Sequence, residues 1–143
     1  MFLGRYSHTL DAKGRLTIPA RYRAELEAGF VVTQGYERCL VIRPKGRWTA
    51  LADKTAQMSD TSESARSYRR HLYGSASEVT LDKMGRILIP AFLREYAEIE
   101  EEAIVLGVNT YIEIWSPEAW QERWASETEN MSDILVEVTK MGM

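Results

Sequence analysis

The sequence predicts an α+β fold built from two tandem ββαββα units whose strands combine into one closed sheet. Three observations carry this reading. First, Asp11-Ala12-Lys13-Gly14-Arg15-Leu16-Thr17-Ile18-Pro19-Ala20 returns 71 residues later as Asp82-Lys83-Met84-Gly85-Arg86-Ile87-Leu88-Ile89-Pro90-Ala91, and a self-match at fixed offset marks an internal duplication. Second, short apolar runs bounded by Gly, Pro and Asn recur at matching places in both halves, as strands require. Third, each half has only about 60 residues and buries a modest core alone. A lone hairpin is marginal in water, so the halves are expected to pool their strands.

The elements follow in order. Residues 5–10 and 15–18 read as a hairpin, with Leu16 and Ile18 on one face and Thr17 on the other. Asp11 at the first turn position and Gly14 at the fourth suit a type I turn, with the glycine free to take positive φ. Asp82 and Gly85 repeat that chemistry. Pro19 can open a helix over residues 20–28, ended by Gly29, and residues 90–99 are its counterpart. Two further strands follow in each half, 30–34 with 38–43 and 103–106 with 110–115, turned by Gly35 and by Gly107 and Asn109. Here Val32-Thr33-Gln34-Gly35 aligns with residues 104–107, residues 39–42 with 111–114, and Trp48 with Trp120 at an offset of 72.

A helix after Pro44 carries Trp48, Leu51, Ala52 and Thr55, and one from Pro117 carries Trp120 and Trp124 at i, i+4 on one face. Between the repeats, the polar run 60–63 opens a helix with Ala65, Tyr68 and Leu72 on one side and Gly74 at its end. The tryptophans are assigned to the core. Residues 131–143 fit either an alternating strand or a helix. The organisation is therefore a first repeat over 1–56, a connecting helix over 57–76, a second repeat over 77–125 and a C-terminal tail over 126–143.

Composition narrows the function. No apolar run approaches the roughly 20 residues that span a bilayer, and residues 1–6 lack the pattern of a signal peptide. The single cysteine, Cys39, excludes an internal disulfide and a cysteine-based zinc site, and it reads as a buried strand residue. These features point to the cytoplasm. Net charge is −3, yet it is unevenly placed: residues 1–50 hold nine Lys/Arg and four Asp/Glu, residues 101–143 two and nine. Such asymmetry allows one basic face, since steering follows the local field more than the net charge.

Arg15 and Arg86 are the leading functional candidates. Each follows a turn glycine where a hairpin begins its return strand, and a β-ribbon fits the major groove, where arginine bonds guanine O6 and N7 with both fork nitrogens. The competing reading pairs each arginine with Asp11 or Asp82 across the turn; both can hold, because a carboxylate can position a guanidinium. Lys13 and Lys83 stand at the tips as phosphate contacts or as solvated lysines, with Lys13 aligned to Met84 and Lys83 to Ala12. Arg21, Arg23, Arg43, Lys45 and Arg47 add charge to the first half. Tyr68-Arg69-Arg70-His71 could bind a nucleic-acid backbone, bind a subunit, or form a solvated helix face. His8 and His71 lie apart, no Gly-rich phosphate loop is present, and no nucleophile and base repeat together, so neither metal, cofactor nor catalysis is expected. Asp11, Gly14, Asp82 and Gly85 serve the turns.

These loops, followed by Leu-Thr-Ile-Pro-Ala and Ile-Leu-Ile-Pro-Ala, closely resemble the MraZ family of bacterial transcriptional regulators, as does the opening Met1-Phe2-Leu3-Gly4 with Tyr6, His8, Leu10 and Asp11. The resemblance covers nearly the whole chain, and the doubled Asp-x-x-x-Arg motif is highly specific. It maps onto Asp11 with Arg15 and Asp82 with Arg86, with Met84 where other members often carry a polar residue. The resemblance implies a swapped-hairpin β-barrel of the AbrB/SpoVT type flanked by helices, with one chain equivalent to a fused dimer. It further implies a ring-like homo-oligomer on the nucleoid that binds double-stranded DNA at short direct repeats, upstream of its own division and cell-wall gene cluster. A second reading is a protein-interaction module of antitoxin type, motivated by the acidic, tryptophan-bearing second half.

Overall fold

The computed structural model describes residues 1–143. Eight strands form: β1 (Arg5–Thr9), β2 (Arg15–Thr17), β3 (Phe30–Gln34), β4 (Leu40–Pro44), β5 (Ser77–Val79), β6 (Arg86–Leu88), β7 (Glu102–Val108) and β8 (Tyr111–Trp115). Five helices accompany them: α1 (Lys45–Ala56), α2 (Glu63–Gly74), α3 (Ala91–Ala97), α4 (Pro117–Glu129) and α5 (Met131–Lys140). No helix is long and apolar enough to cross a membrane.

The halves interlace. The main antiparallel sheet has six strands in the order β1-β7-β8-β4-β3-β5. The first strand of each half is therefore donated to the other: β1 pairs with β7, and β5 with β3. The two hairpin return strands pair only with each other, β2 against β6. This corrects two expectations. The chain forms no closed sheet, and β1 and β2 do not make a regular hairpin ladder. They meet at one bridge, Leu10 with Leu16, and at the turn itself. The reason lies in length and proline. β2 and β6 have three residues each, and Pro19 and Pro90 soon follow without a backbone N–H to donate.

A further correction concerns register. Val32 pairs with Ile42 and Ser77, whereas Val105 pairs with Ile114 and Tyr6. Val32 and Val105 are thus the equivalent positions, an offset of 73, one residue beyond the match that sets Val32 on Ile104. A one-residue slip moves every side chain to the opposite face. The observed register sends Phe30, Val32, Ala103 and Val105 into the core and Val31, Thr33, Ile104 and Leu106 outward.

The main core is a cluster of 19 buried residues drawn from both halves, including Leu16, Ile18, Ile87 and Ile89 from the hairpin strands, and a small second cluster of Cys39, Val41 and Trp115 lies on the other face of the sheet. Residues 20–28 are two consecutive 3-10 turns, Ala20–Tyr22 and Ala24–Leu26, where a helix was expected, while residues 91–97 are the helix α3. The tighter winding accompanies Tyr22, which stands where the second half has Leu93. Its buried ring meets Phe2 and Tyr6 edge-on, and its hydroxyl donates to the carbonyls of Leu3 and Gly4. Ser62 caps α2 through Ala65 N–H, and Ser116 caps α4 through Ala119 N–H. The tail resolves to helix α5. The tryptophans divide: Trp115 is buried, Trp48 and Trp120 are half-buried, and Trp124 is 49% exposed, so Trp124 is not a core residue.

Candidate nucleic-acid interface

Both Asp-x-x-Gly-Arg turns have the same internal wiring. Asp11 Oδ1 accepts the N–H groups of Lys13 at 3.0 Å and Arg15 at 2.9 Å, and Oδ2 accepts Arg15 Nε at 2.6 Å. Asp82 Oδ1 accepts Met84 N–H and Arg86 N–H, both at 2.9 Å, and Oδ2 accepts Arg86 Nε at 2.8 Å. Gly14 and Gly85 close each turn by donating N–H to the aspartate carbonyl at 3.0 Å, with φ of +84° and +75°. Each aspartate thus holds its turn through backbone bonds and fixes its arginine through Nε. The Nη groups of both guanidiniums donate no hydrogen bond within the chain and keep their donors for a ligand. The two backbone N–H groups and the guanidinium favour the ionised carboxylate. The Arg15 N–H bond leads in holding the Asp11 carboxyl at about 2, and the Arg86 N–H bond leads in lowering Asp82.

The β2–β6 ladder sets the two turns at opposite ends of one short ribbon. Leu16 faces Ile87 in register, and Ile18 N–H donates to Gly85 O and Ile89 N–H to Gly14 O. In the register of that ribbon Gly85 faces Ile18, four residue steps from Gly14, about 13 Å along the strands. Arg86 reaches across it, with Nη1 3.7 Å from Asp11 Oδ2.

Arg23, which the sequence offers only as one of several added charges, and Arg94, which the sequence reading passes over, complete the arrangement. Arg23 donates Nε to Ile18 O at 2.9 Å and lies against Gly85; Arg94 donates Nε to Ile89 O at 3.0 Å and lies against Gly14. Each half clasps the other half's turn. A Cβ on Gly14 would stand 2.7 Å from the Arg94 guanidinium, and one on Gly85 would overlap that of Arg23. Neither arginine has a carboxylate partner in the chain. The available signal was the repeat itself: Arg23 and Arg94 are also 71 residues apart. Around the ribbon stand Lys13, Arg15, Arg23, Lys83, Arg86 and Arg94 against Asp11 and Asp82.

Other candidates are otherwise engaged. Arg69 bonds the carbonyls of Thr55 and Met58 and the carboxylate of Asp60, so it caps α1. Arg43 donates to Thr33 Oγ1, and Arg21 to the Tyr6 hydroxyl. Cys39 is fully buried, and burial raises its thiol well above the usual range. No cluster of His, Cys, Asp or Glu has metal-holding geometry. The acid gathers in a groove of about 580 Å³ lined by Glu98, Glu100, Glu101, Glu102, Glu118 and Glu122, a surface that repels phosphate.

Comparison with known proteins agrees with the doubled motif. The family model described as "MraZ protein, putative antitoxin-like" matches residues 1–71 and again 72–137. Three relatives carry the name Transcriptional regulator MraZ. That of Roseiflexus castenholzii is 46% identical over 132 residues, covering 92% of each chain. That of Thermomicrobium roseum is 49% identical over 120 residues, 84% of each. That of Carboxydothermus hydrogenoformans is 42% identical over 143 residues, 95% of this chain and all of its own.

Proposed function

The chain belongs to the MraZ family, and from that premise we propose that it regulates transcription by binding double-stranded DNA through the two Asp-x-x-Gly-Arg turns. The observation that carries the reading is one ribbon bearing two identically wired arginines at its ends, clasped by two more. Arg15 and Arg86 present Nη groups to guanine edges, and Lys13 and Lys83 reach the phosphates. Asp11, Gly14, Asp82 and Gly85 position them. The halves act as a fused dimer of swapped hairpins, each lending its first strand to the other. The name shared by the relatives supports regulation of transcription, and no catalytic step is part of it.

Two readers in one chain suit a repeated target. The protein is proposed to act as a ring-like homo-oligomer on short direct repeats upstream of its own division and cell-wall gene cluster, in the cytoplasm at the nucleoid. Each turn alone binds weakly, and linkage of several through the assembly raises avidity steeply. A gel-shift series on duplexes carrying one, two or three copies of the repeat tests this. Affinity should climb by far more than the number of copies. Affinity proportional to copy number, or indifference to the repeat, would refute it.

A further inference from the structure

Arg43, one of the added charges of the first half, takes no part in the two turns. It stands on β4 opposite Val31 of β3. In the second half Ile104, the equivalent of Val31, faces Trp115, a buried aromatic. The fold therefore accepts a packed ring at this position, and the first half has a half-buried guanidinium instead. The one hydrogen bond of that guanidinium runs from Nη1 to Thr33 Oγ1 at 3.2 Å, and none of the chain's ion pairs includes it. An arginine has five N–H donors, and its charge is costly to bury without a partner. Arg43 thus keeps both donors and charge for an anion.

A cavity of about 390 Å³ opens beside it, between α2 and the β3–β4 turn, a size common among small-molecule sites. Arg43, Tyr68, Leu72 and Tyr96, all buried or half-buried, line its inner part, and exposed Tyr36, Glu37 and His71 surround its mouth. The aromatic walls are held in place. Tyr96 donates its hydroxyl to Gly35 O at 2.8 Å, and the Arg38 guanidinium lies 5.1 Å over its ring. The Tyr36 hydroxyl donates to that of Tyr68 at 3.3 Å. The turn that carries Tyr36 is longer than its counterpart. Five residues, 35–39, join β3 to β4, whereas two, 109 and 110, join β7 to β8. Within it Glu37 and Arg38 both hold positive φ, +63° and +64°, and such backbone strain clusters at ligand sites.

We propose that this cavity binds a planar aromatic carboxylate of one or two rings, with its carboxylate on Arg43 and its ring among Tyr36, Tyr68 and Tyr96. The guanidinium fork matches a single carboxylate with two parallel bonds. Tyrosine and leucine surfaces suit an aromatic body, and the tyrosine hydroxyls serve polar substituents on it. One cation, with Glu37 at the mouth, disfavours phosphate groups of higher charge. The site is separate from the turns and stands whether or not they bind DNA.

The test titrates the full-length protein with indole-3-acetate, followed by amide NMR shifts, against its neutral isostere indole-3-acetamide. Saturable shifts are expected at Gly35, Tyr36, Leu72 and Tyr96. The carboxylate should bind roughly tenfold tighter than the amide, the factor that one charge-assisted hydrogen bond supplies. Arg43→Gln should bring the two ligands to equal affinity. Arg47→Gln, which removes the same charge from exposed α1 surface, should leave the tenfold gap in place. Wild type that shows no saturable shift around the cavity, or that binds both ligands equally, would overturn the proposal, and that comparison needs no variant. A gap retained by Arg43→Gln with a native-like spectrum would overturn it as well.

Discussion

Replacing Gly85 with alanine probes the clasp between the halves. Gly85 holds φ of +75°, a conformation that costs a side-chain-bearing residue about 1–2 kcal/mol. The added Cβ would also overlap the Arg23 guanidinium and displace the bond from Arg23 Nε to Ile18 O, worth about 1 kcal/mol. The expected total is about 2–3 kcal/mol. For a chain of this size that lowers the thermal midpoint by about 6–15 °C. A double-mutant cycle read by thermal or urea unfolding separates the terms. In an Arg23→Ala background the Gly85→Ala cost should shrink by about 1 kcal/mol, because only the backbone strain remains. Gly14→Ala with Arg94→Ala should behave alike. A Gly85→Ala protein as stable as wild type, or a cost unchanged by Arg23→Ala, would mean that Arg23 does not clasp the second turn.

Further outcomes follow from the same geometry. Truncating Ile87, fully buried where the two hairpin strands cross, should cost about 2–5 kcal/mol through the cavity it leaves, measured by urea unfolding. The Asp11 carboxyl is held below its ordinary value, so its contribution to stability is complete above pH 3.8 and fades as pH falls toward about 2. Carboxyl NMR shifts should place its midpoint there, and a midpoint near 3.8 would mean that the bonds to Arg15 are absent in solution. Cys39 should resist alkylation at pH 8 until the protein unfolds, since its thiol is buried and its ionisation is disfavoured.

Much of this was legible in the chain because local chemistry decides it. The turns were readable from Asp and Gly at fixed spacing, and the paired Asp11–Arg15 and Asp82–Arg86 contacts from the repeat. The cap of α2 and the start of α4 were likewise local. What escaped depends on contacts between distant residues. Nothing near Arg15 says that its strand pairs with β6 rather than with its own hairpin partner. The register of β3 against β7 was misjudged by one residue because Val32-Thr33 and Ile104-Val105 are alike in sequence while the ladders differ. Arg23 looked like surface charge because the glycine it covers lies 62 positions away. Trp124 looked like core because helical spacing cannot reveal that its outer face lacks a covering layer.

Reading of DNA by Arg15 and Arg86 is the step on which the proposed function depends. The most direct test is fluorescence anisotropy with duplex DNA from upstream of the protein's own gene, against scrambled duplex, across a salt series, for wild type and Arg15→Ala/Arg86→Ala. The expected result is sequence-selective wild-type binding that weakens linearly in log salt, and a double variant weakened by about 1–3 kcal/mol per lost guanine contact, with its preference for the upstream DNA gone. Equal binding by the two proteins, or wild-type binding no better than to scrambled DNA, would contradict it.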